Sequence, residues 1–177
     1  PVSAADDLID PHRGGIRMNR DYNPFANIDL HFPKAFWEDV KRYTTSQGGD
    51  GDTSVESSPF KRYVDLWAAA IAVGAQEGAF VTLEDKDAKH RFIQGSVLQG
   101  DLSRIEFLQL LAIGHSGDPY IVKHPRQVIE IAEAYAAGGL PILLEWLEGG
   151  VQTPMVSLTK NLIRYLNEAA PEVEADA

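Results

Sequence analysis

From residue 59 onward, apolar residues recur at the spacing of one face of a helix. The clearest run contains Val64, Trp67 and Ile71, three to four residues apart, and this spacing places their side chains on one side of a helix. The alanines between them favour helix and allow another helix to approach closely. The Ser58-Pro59 pair suits the cap and first turn of this helix.

Glycine and proline set the predicted boundaries of the helices. Glycine ends helices readily because it adopts the left-handed conformation at little cost, so stops are predicted at Gly74, Gly114 and Gly138-Gly139. Helix starts are predicted at four residues that cap or open helices: Asp101, Pro125, Pro141 and Pro154. The result is a mainly α fold, a bundle of five to six helices with short connections.

The last predicted helix begins at Pro154. Its apolar residues Leu158, Leu162, Ile163 and Leu166 recur at helical spacing, and such a face normally turns toward the core. We therefore expect all four side chains to point inward.

The residues before position 59 do not show this pattern. Residues 1–33 carry four prolines and no sustained period, which predicts an irregular N-terminal arm with one possible short strand, DLHF. Residues 34–45 predict a short helix, and residues 46–58, rich in Gly, Ser and Asp, predict a flexible linker. The helical domain is then expected to span residues 59–170.

A short β-hairpin is an alternative to a loop between the first two long helices. The segments FVTL at 80–83 and RFIQ at 91–94 flank a charged turn, and their aromatic and β-branched residues suit strands. Because both are short, pairing of the two segments and a plain loop fit the pattern equally well.

Composition limits the functions open to the chain. With 16 Lys and Arg against 26 Asp and Glu, the net charge is −10, so tight unaided DNA binding is not expected, because phosphate contacts dominate affinity for DNA. The absence of cysteine excludes disulfides and thiolate metal sites and fits the reducing cytoplasm. No apolar stretch approaches the length of a membrane span and no signal peptide is recognised, so a cytoplasmic protein without membrane contact is expected.

Motifs for catalysis are weak. No Gly-rich phosphate loop occurs, and no cofactor is expected. His115, Asp118 and His124 bracket one loop and are weak candidates for a metal site, although a helix end and a cap position explain both histidines without a metal. Glu130 and Glu133 lie one helical turn apart and would act as acid and base only in an apolar cleft.

Three blocks of the helical body resemble a known family. They are PFKRYVDLWAAAIAVGAQEG at 59–78, DLSRIEFLQLLAIGHSGDP at 101–119 and IAEAYAAGGLPILLEWL at 131–147. Their order and spacing resemble the Dnd-system-associated protein four family, small proteins encoded beside genes for DNA phosphorothioation. The most distinctive element is Tyr-Ala-x-Gly-Gly-Leu, which begins at Tyr135. Ala134 and Ala137 depart from the family pattern, and the turn after Gly78 lacks the family's basic run.

The resemblance implies a context rather than a chemical reaction. Members of this family resemble accessory components of bacterial DNA-modification and anti-phage restriction clusters. The chain is therefore expected to be a non-enzymatic subunit that binds a larger protein of such a system and reaches DNA only indirectly. A homo-oligomer is compatible with this expectation.

Two other functions stay open. A DNA-associated transcriptional regulator would use the helix–loop–helix at 101–137, where Arg104, Lys123 and Arg126 are the only basic residues. A metal-dependent hydrolase would use the His/Asp/His set named above.

Candidate interaction residues follow from the resemblance and from the aromatic content. Aromatic anchors often dominate binding energy, and the distinctive element supplies an aromatic residue beside small ones. The candidates are Tyr135, Gly138, Gly139, Leu140, Trp146, Phe25 and Phe32. The two phenylalanines of the arm either pack on the chain's own body, which we favour, or lie in a partner's groove.

Overall fold

The structure, a computed structural model, describes residues 22–45, 54–148 and 150–169. The strands are β1 (Asp29–Pro33) and β2 (Lys89–Gln94), and the helices are α1 (Trp37–Arg42), α2 (Tyr63–Gln76), α3 (Leu102–Ser116), α4 (Pro125–Leu147) and α5 (Pro154–Ala169). Within these ranges the fold is mainly α with one two-stranded antiparallel sheet. The predicted fold class is therefore confirmed.

At the centre of the fold, α2 and α4 approach each other through glycines. A Cβ atom added to Gly139 would lie 2.0 Å from the carbonyl oxygen of Ala70, and one added to Gly74 would lie 2.1 Å from that of Tyr135. Neither position has room for a side chain, so the backbone of one helix packs on the backbone of the other.

Gly138 and Gly139 do not end a helix, which corrects the prediction from the sequence. The helix α4 continues without a break through both glycines and through Pro141, and neither glycine has a positive φ. The predicted third and fourth helices are thus a single helix. The glycines serve close packing instead: a Cβ atom on Gly138 would lie 2.0 Å from the carbonyl oxygen of Ala79.

Because α4 is unbroken, it reaches the length and apolar composition of a membrane-spanning helix. Its 18-residue window has a mean hydropathy of 1.2, and 61% of that window is buried inside the protein. The expectation that no apolar stretch approaches the length of a membrane span is therefore not met by α4. Packing against α2, α3, α5 and β1 accounts for the apolar surface of α4, as in the central helix of a folded domain.

Left-handed glycines follow α2 and α3, but they are not the predicted ones. Gly78, with φ 63°, follows α2, and Gly117, with φ 69°, caps α3. Gly74 and Gly114 lie inside their helices. Asp101 caps the start of α3 as predicted, since its side chain accepts a hydrogen bond of 3.2 Å from a backbone N–H of the first turn.

The sheet joins the N-terminal segment to the helical body, because β1 pairs antiparallel with β2. The sequence indicated strands at both places but offered residues 80–83 as the partner of residues 91–94. Residues 80–83 instead run beside α4, where the N–H of Val81 donates a hydrogen bond of 3.0 Å to the helix backbone. An antiparallel pair of strands that includes residues 91–94 is therefore present, but its second strand is β1 and not residues 80–83.

The last part of the predicted arm, residues 22–33, packs into the same core as the helices. Phe25, Leu30 and Phe32 are all 0% exposed. The short helix predicted at 34–45 is a 3-10 turn followed by α1. Residues 1–21 of the arm and residues 46–53 of the predicted linker lie outside the described residues.

Aromatic rings pack around the sheet. Trp37 stacks on His90 with ring centroids 4.0 Å apart, and Phe32 lies 4.5 Å from Phe92. Burial, followed by the positive charges of Lys34 and Lys41, lowers the pKa of His90 below its ordinary value. The neutral imidazole is thus the form that the folded protein favours.

Replacing Gly139 by alanine should destabilise the protein by about 3 kcal/mol, because the new methyl group would collide with the backbone of α2. Gly114→Ala is the matched control: Gly114 also lies inside a helix, but nothing lies within 4 Å of an added Cβ atom. The control should gain about 0.5–1 kcal/mol from better helix propensity. Chemical denaturation measures both changes, and equal stability of the two variants would contradict the close contact.

Stability should fall as the pH falls through the region where His90 titrates. The pKa of His90 is lowered in the folded state from 6.5, so the unfolded chain binds the proton first, and stability present above pH 6.5 is lost as the pH falls through the folded pKa. A His90→Phe variant keeps a ring on Trp37 and cannot take up the proton. Its melting temperature should therefore vary less with pH than that of the wild type, and equal slopes would contradict this assignment.

Candidate protein interface

One face of α5 exposes apolar side chains to solvent. Met155, Val156, Leu162, Ile163 and Leu166 are 39–58% exposed. At 3.6 residues per turn these positions and Thr159 fall within about 120° of the helix circumference. We call these six residues the α5 stripe.

The neighbouring face of α5 attaches the helix to the core. Leu158 packs against the core cluster, the side-chain amide of Asn161 donates a hydrogen bond of 3.1 Å to the carbonyl oxygen of Trp146, and the ring of Tyr165 lies 5.1 Å from that of Trp146. Burial, followed by a hydrogen bond to the Glu77 carboxylate, raises the pKa of Tyr165. These contacts hold one face of α5 against the end of α4.

The expectation that four apolar residues of α5 point inward is wrong for three of them. Leu158 packs on the core, whereas Leu162, Ile163 and Leu166 are 43%, 55% and 58% exposed. The apolar positions of α5 cover two adjacent faces, and α4 can bury only one of them. That excess of apolar positions over one buried face is the signal in the sequence that would have indicated the stripe.

Most of the candidate interaction residues lie inside the protein. The buried ones are Gly138, Gly139, Leu140, Phe25 and Phe32. Tyr135 and Trp146 are half-buried. The Gly-Gly-Leu part of the distinctive element therefore packs the core, and Trp146 lies under α5 as its support.

Tyr135 belongs to a small aromatic cluster at the surface. Its hydroxyl lies 3.0 Å from Nδ1 of His115. Phe80, which is 37% exposed, stacks on His115 with centroids 4.5 Å apart and meets Tyr135 edge-on at 5.0 Å. These contacts tie the segment after α2 to α3 and α4.

His115, Asp118 and His124 do not form a metal site. His115 is engaged by Tyr135, and the carboxylate of Asp118 accepts a hydrogen bond of 2.8 Å from the backbone N–H of Tyr120. Throughout the described ranges, no group of three or more His, Asp and Glu side chains is placed to hold a metal ion. A hydrolase that depends on this set is therefore not supported.

A buried carboxylate on α4 joins the sheet to the core. The side chain of Glu133 is 7% exposed. It accepts hydrogen bonds from the backbone N–H of His31 at 3.1 Å and from Nζ of Lys89 at 3.2 Å, and it lies 2.8 Å from Nδ1 of His31. Each carboxylate oxygen of Glu133 has a partner within the protein. Glu133 therefore serves as the structural ion-pair partner of Lys89 rather than as a free acid or base.

A cavity of about 260 Å³ adjoins this carboxylate. Its lining residues are Thr82, Leu83, Lys89, Glu130, Glu133 and Ala134. Glu130 lies at the exposed rim of the helix, one turn before Glu133. The two glutamates therefore differ in environment: Glu133 is buried against the sheet, and Glu130 is exposed.

Two of the three basic residues of the helix–loop–helix, Arg104 and Lys123, make contacts within the protein, and Arg126 is exposed. Arg104 forms ion pairs with Asp65 at 3.1 Å and with Asp101 at 3.3 Å. Burial acts to raise the pKa of Asp65, but the guanidinium groups of Arg62 and Arg104 outweigh it and lower the pKa. Lys123 lies over the ring of Tyr120. This arrangement gives little support to a DNA-binding role for the segment.

Comparison with known families gives a match over most of the chain. The model of the family described as DNA sulphur modification system-associated protein 4 matches residues 51–177. The matched region contains α2 to α5 and therefore includes the α5 stripe. No curated protein and no solved structure matches the chain. The match agrees with the resemblance of the three sequence blocks.

Glu133→Gln should destabilise the protein by about 2 kcal/mol, because Lys89 loses its charged partner and a donor replaces an acceptor at a buried site. Glu130→Gln, on the exposed rim one turn away, is the control and should change stability by less than about 0.5 kcal/mol. Thermal melts at neutral pH compare the two variants. If both melt like the wild type, the Glu133 ion pair does not hold the sheet to α4.

Proposed function

The chain belongs to the DNA sulphur modification system-associated protein 4 family, and we propose that it is a non-enzymatic, protein-binding subunit of that system. The family match covers most of the chain and supports an accessory role in DNA sulphur modification. The finer proposal concerns how the subunit acts: it assembles with other protein surfaces through α5. A larger protein of the same system is the component that it joins.

The α5 stripe is the observation that carries this proposal. Its exposed apolar area is on the order of 500 Å². This value lies toward the upper end of the size range, about 300–600 Å², of the largest apolar patch on a typical monomer. Such a patch lowers the free energy of the system when another surface covers it. Hence the stripe is the part of the described chain that is best suited to assembly.

The charges support protein rather than nucleic acid as the direct partner. The chain carries a net charge of −10, and Arg104 is already paired with two carboxylates. Because affinity for DNA rests on cations that face phosphates, contact with DNA would pass through another subunit. The proposed role implies a cytoplasmic location, since a DNA-modifying system acts where the DNA lies.

The contacts of the ionisable residues support a non-enzymatic role. Three of the five chemical candidates that the sequence offered, Glu133, His115 and Asp118, hold a structural contact within the protein. Catalysis would need at least one such group to face a substrate.

Ile163→Ser combined with Leu166→Ser should abolish recovery of the system's other proteins with the tagged chain from its native host. The change removes the two most exposed leucine and isoleucine side chains of the stripe while leaving the core unaltered. Arg164→Ser, between them on the polar side of α5, is the control and should recover as much as the wild type. Mass spectrometry identifies the proteins, and undiminished recovery with a correctly folded double variant would contradict the role of the stripe.

A further inference from the structure

We propose that the α5 stripe pairs antiparallel with the α5 stripe of a second copy of this chain, so that the working unit is a two-fold dimer. This inference rests on the proposed function of the stripe as an assembly surface and deepens it: a second copy covers the stripe, and the larger protein of the system joins the resulting pair.

The spacing of the stripe suits a helix like itself. Met155, Thr159, Leu162 and Leu166 follow one another at intervals of four, three and four residues, which is the spacing of the inward positions of a coiled coil. An antiparallel pair centred between Thr159 and Leu162 would set Met155 opposite Leu166 of the partner subunit. Each stripe would then complement an identical one, as a two-fold interface requires.

The polarity of the stripe allows burial on both sides of the pair. The stripe contains no charged side chain, and the hydroxyl of Thr159 donates a hydrogen bond of 2.8 Å to the carbonyl oxygen of Met155. Covering this hydroxyl therefore leaves no donor without a partner. Val156 and Ile163 widen the stripe on the side away from α4. The α5 helix of the second copy would therefore also contact these two apolar side chains.

The direction of the pair follows from helix electrostatics. Each helix carries partial positive charge at its start and partial negative charge at its end. Antiparallel neighbours place these ends against each other with opposite sign. Lys160 and Arg164 follow the solvent side of α5 and stay hydrated in this arrangement.

The area of the stripe predicts a dimer of moderate affinity. A helix of 16 residues is about 24 Å long, and this length sets the extent of the overlap between the two copies of α5. Two stripes bury on the order of 1,000 Å² in total, at the lower limit for a specific protein interface. Self-association in the micromolar range is therefore expected.

Sedimentation velocity of the full chain over micromolar concentrations tests the oligomeric state. The wild type and Arg164→Ser should show the same concentration-dependent dimer. Ile163→Ser combined with Leu166→Ser should raise the dissociation constant by about a hundredfold. A wild type that stays monomeric up to high micromolar concentration would overturn the proposal, as would a double variant that dimerises like the control.

Cysteine cross-linking tests the antiparallel direction, and the chain lends itself to this because it has no cysteine. Met155→Cys and Leu166→Cys, prepared separately and mixed, should form a mixed disulfide dimer under mild oxidation, because the two positions face each other across the pair. Each variant alone should cross-link far less. Equal cross-linking of each variant with itself would overturn the antiparallel arrangement.

The two proposals fail in different ways. A monomeric wild type whose stripe is still needed to recover the system's other proteins would overturn self-pairing and leave the protein-binding role in place. A dimer that the stripe variant breaks, without any loss of the recovered proteins, would support self-pairing and count against the stripe as the link to the system.

Discussion

The backbone contact between α2 and α4 is the constraint on which the rest of the fold depends. Gly74 and Gly139 bring the two helices so close that a single added methyl group would lie 2.0–2.1 Å from a carbonyl oxygen. Because α2 lies against one side of α4, the remaining sides of α4 are free to pack on α3, on β1 and, near its end, on α5. Glu133 then fixes the sheet to α4 through His31 and Lys89. A length of 23 residues allows this one helix to contact all these elements.

This arrangement separates the residues that build the fold from those available for assembly. The Tyr-Ala-x-Gly-Gly-Leu element, the most distinctive part of the family resemblance, uses its glycines and Leu140 in the core. The end of α4 supports α5 through Trp146, which covers only one of the two apolar faces of α5. The second face is the α5 stripe. In this member of the DNA sulphur modification system-associated protein 4 family, the proposed assembly surface thus lies on α5, apart from the distinctive sequence element.

The sequence allowed the fold class, the family and the α3 cap at Asp101 to be predicted, because each depends on local spacing or on a motif. It misled where one residue type serves two purposes. Gly138 and Gly139 suit a helix end as well as a close helix contact, and only the position of α2 decides between the two. The partner of β2 could not be read locally, since β1 lies far away in the chain. Leu162, Ile163 and Leu166 have helical spacing whether they face the core or solvent, so the α5 stripe became visible only with α4 in place.

The central claim is that α5 is the assembly surface, and hydrogen–deuterium exchange of the full chain at low and at high protein concentration tests it most directly. The account predicts that exchange of amides within Pro154–Ala169 slows as the concentration rises, because pairing suppresses local opening of the helix. Exchange in α2, α3 and the centre of α4 should stay unchanged. Concentration-dependent protection confined to the Phe80, His115 and Tyr135 cluster, with none in α5, would contradict the account.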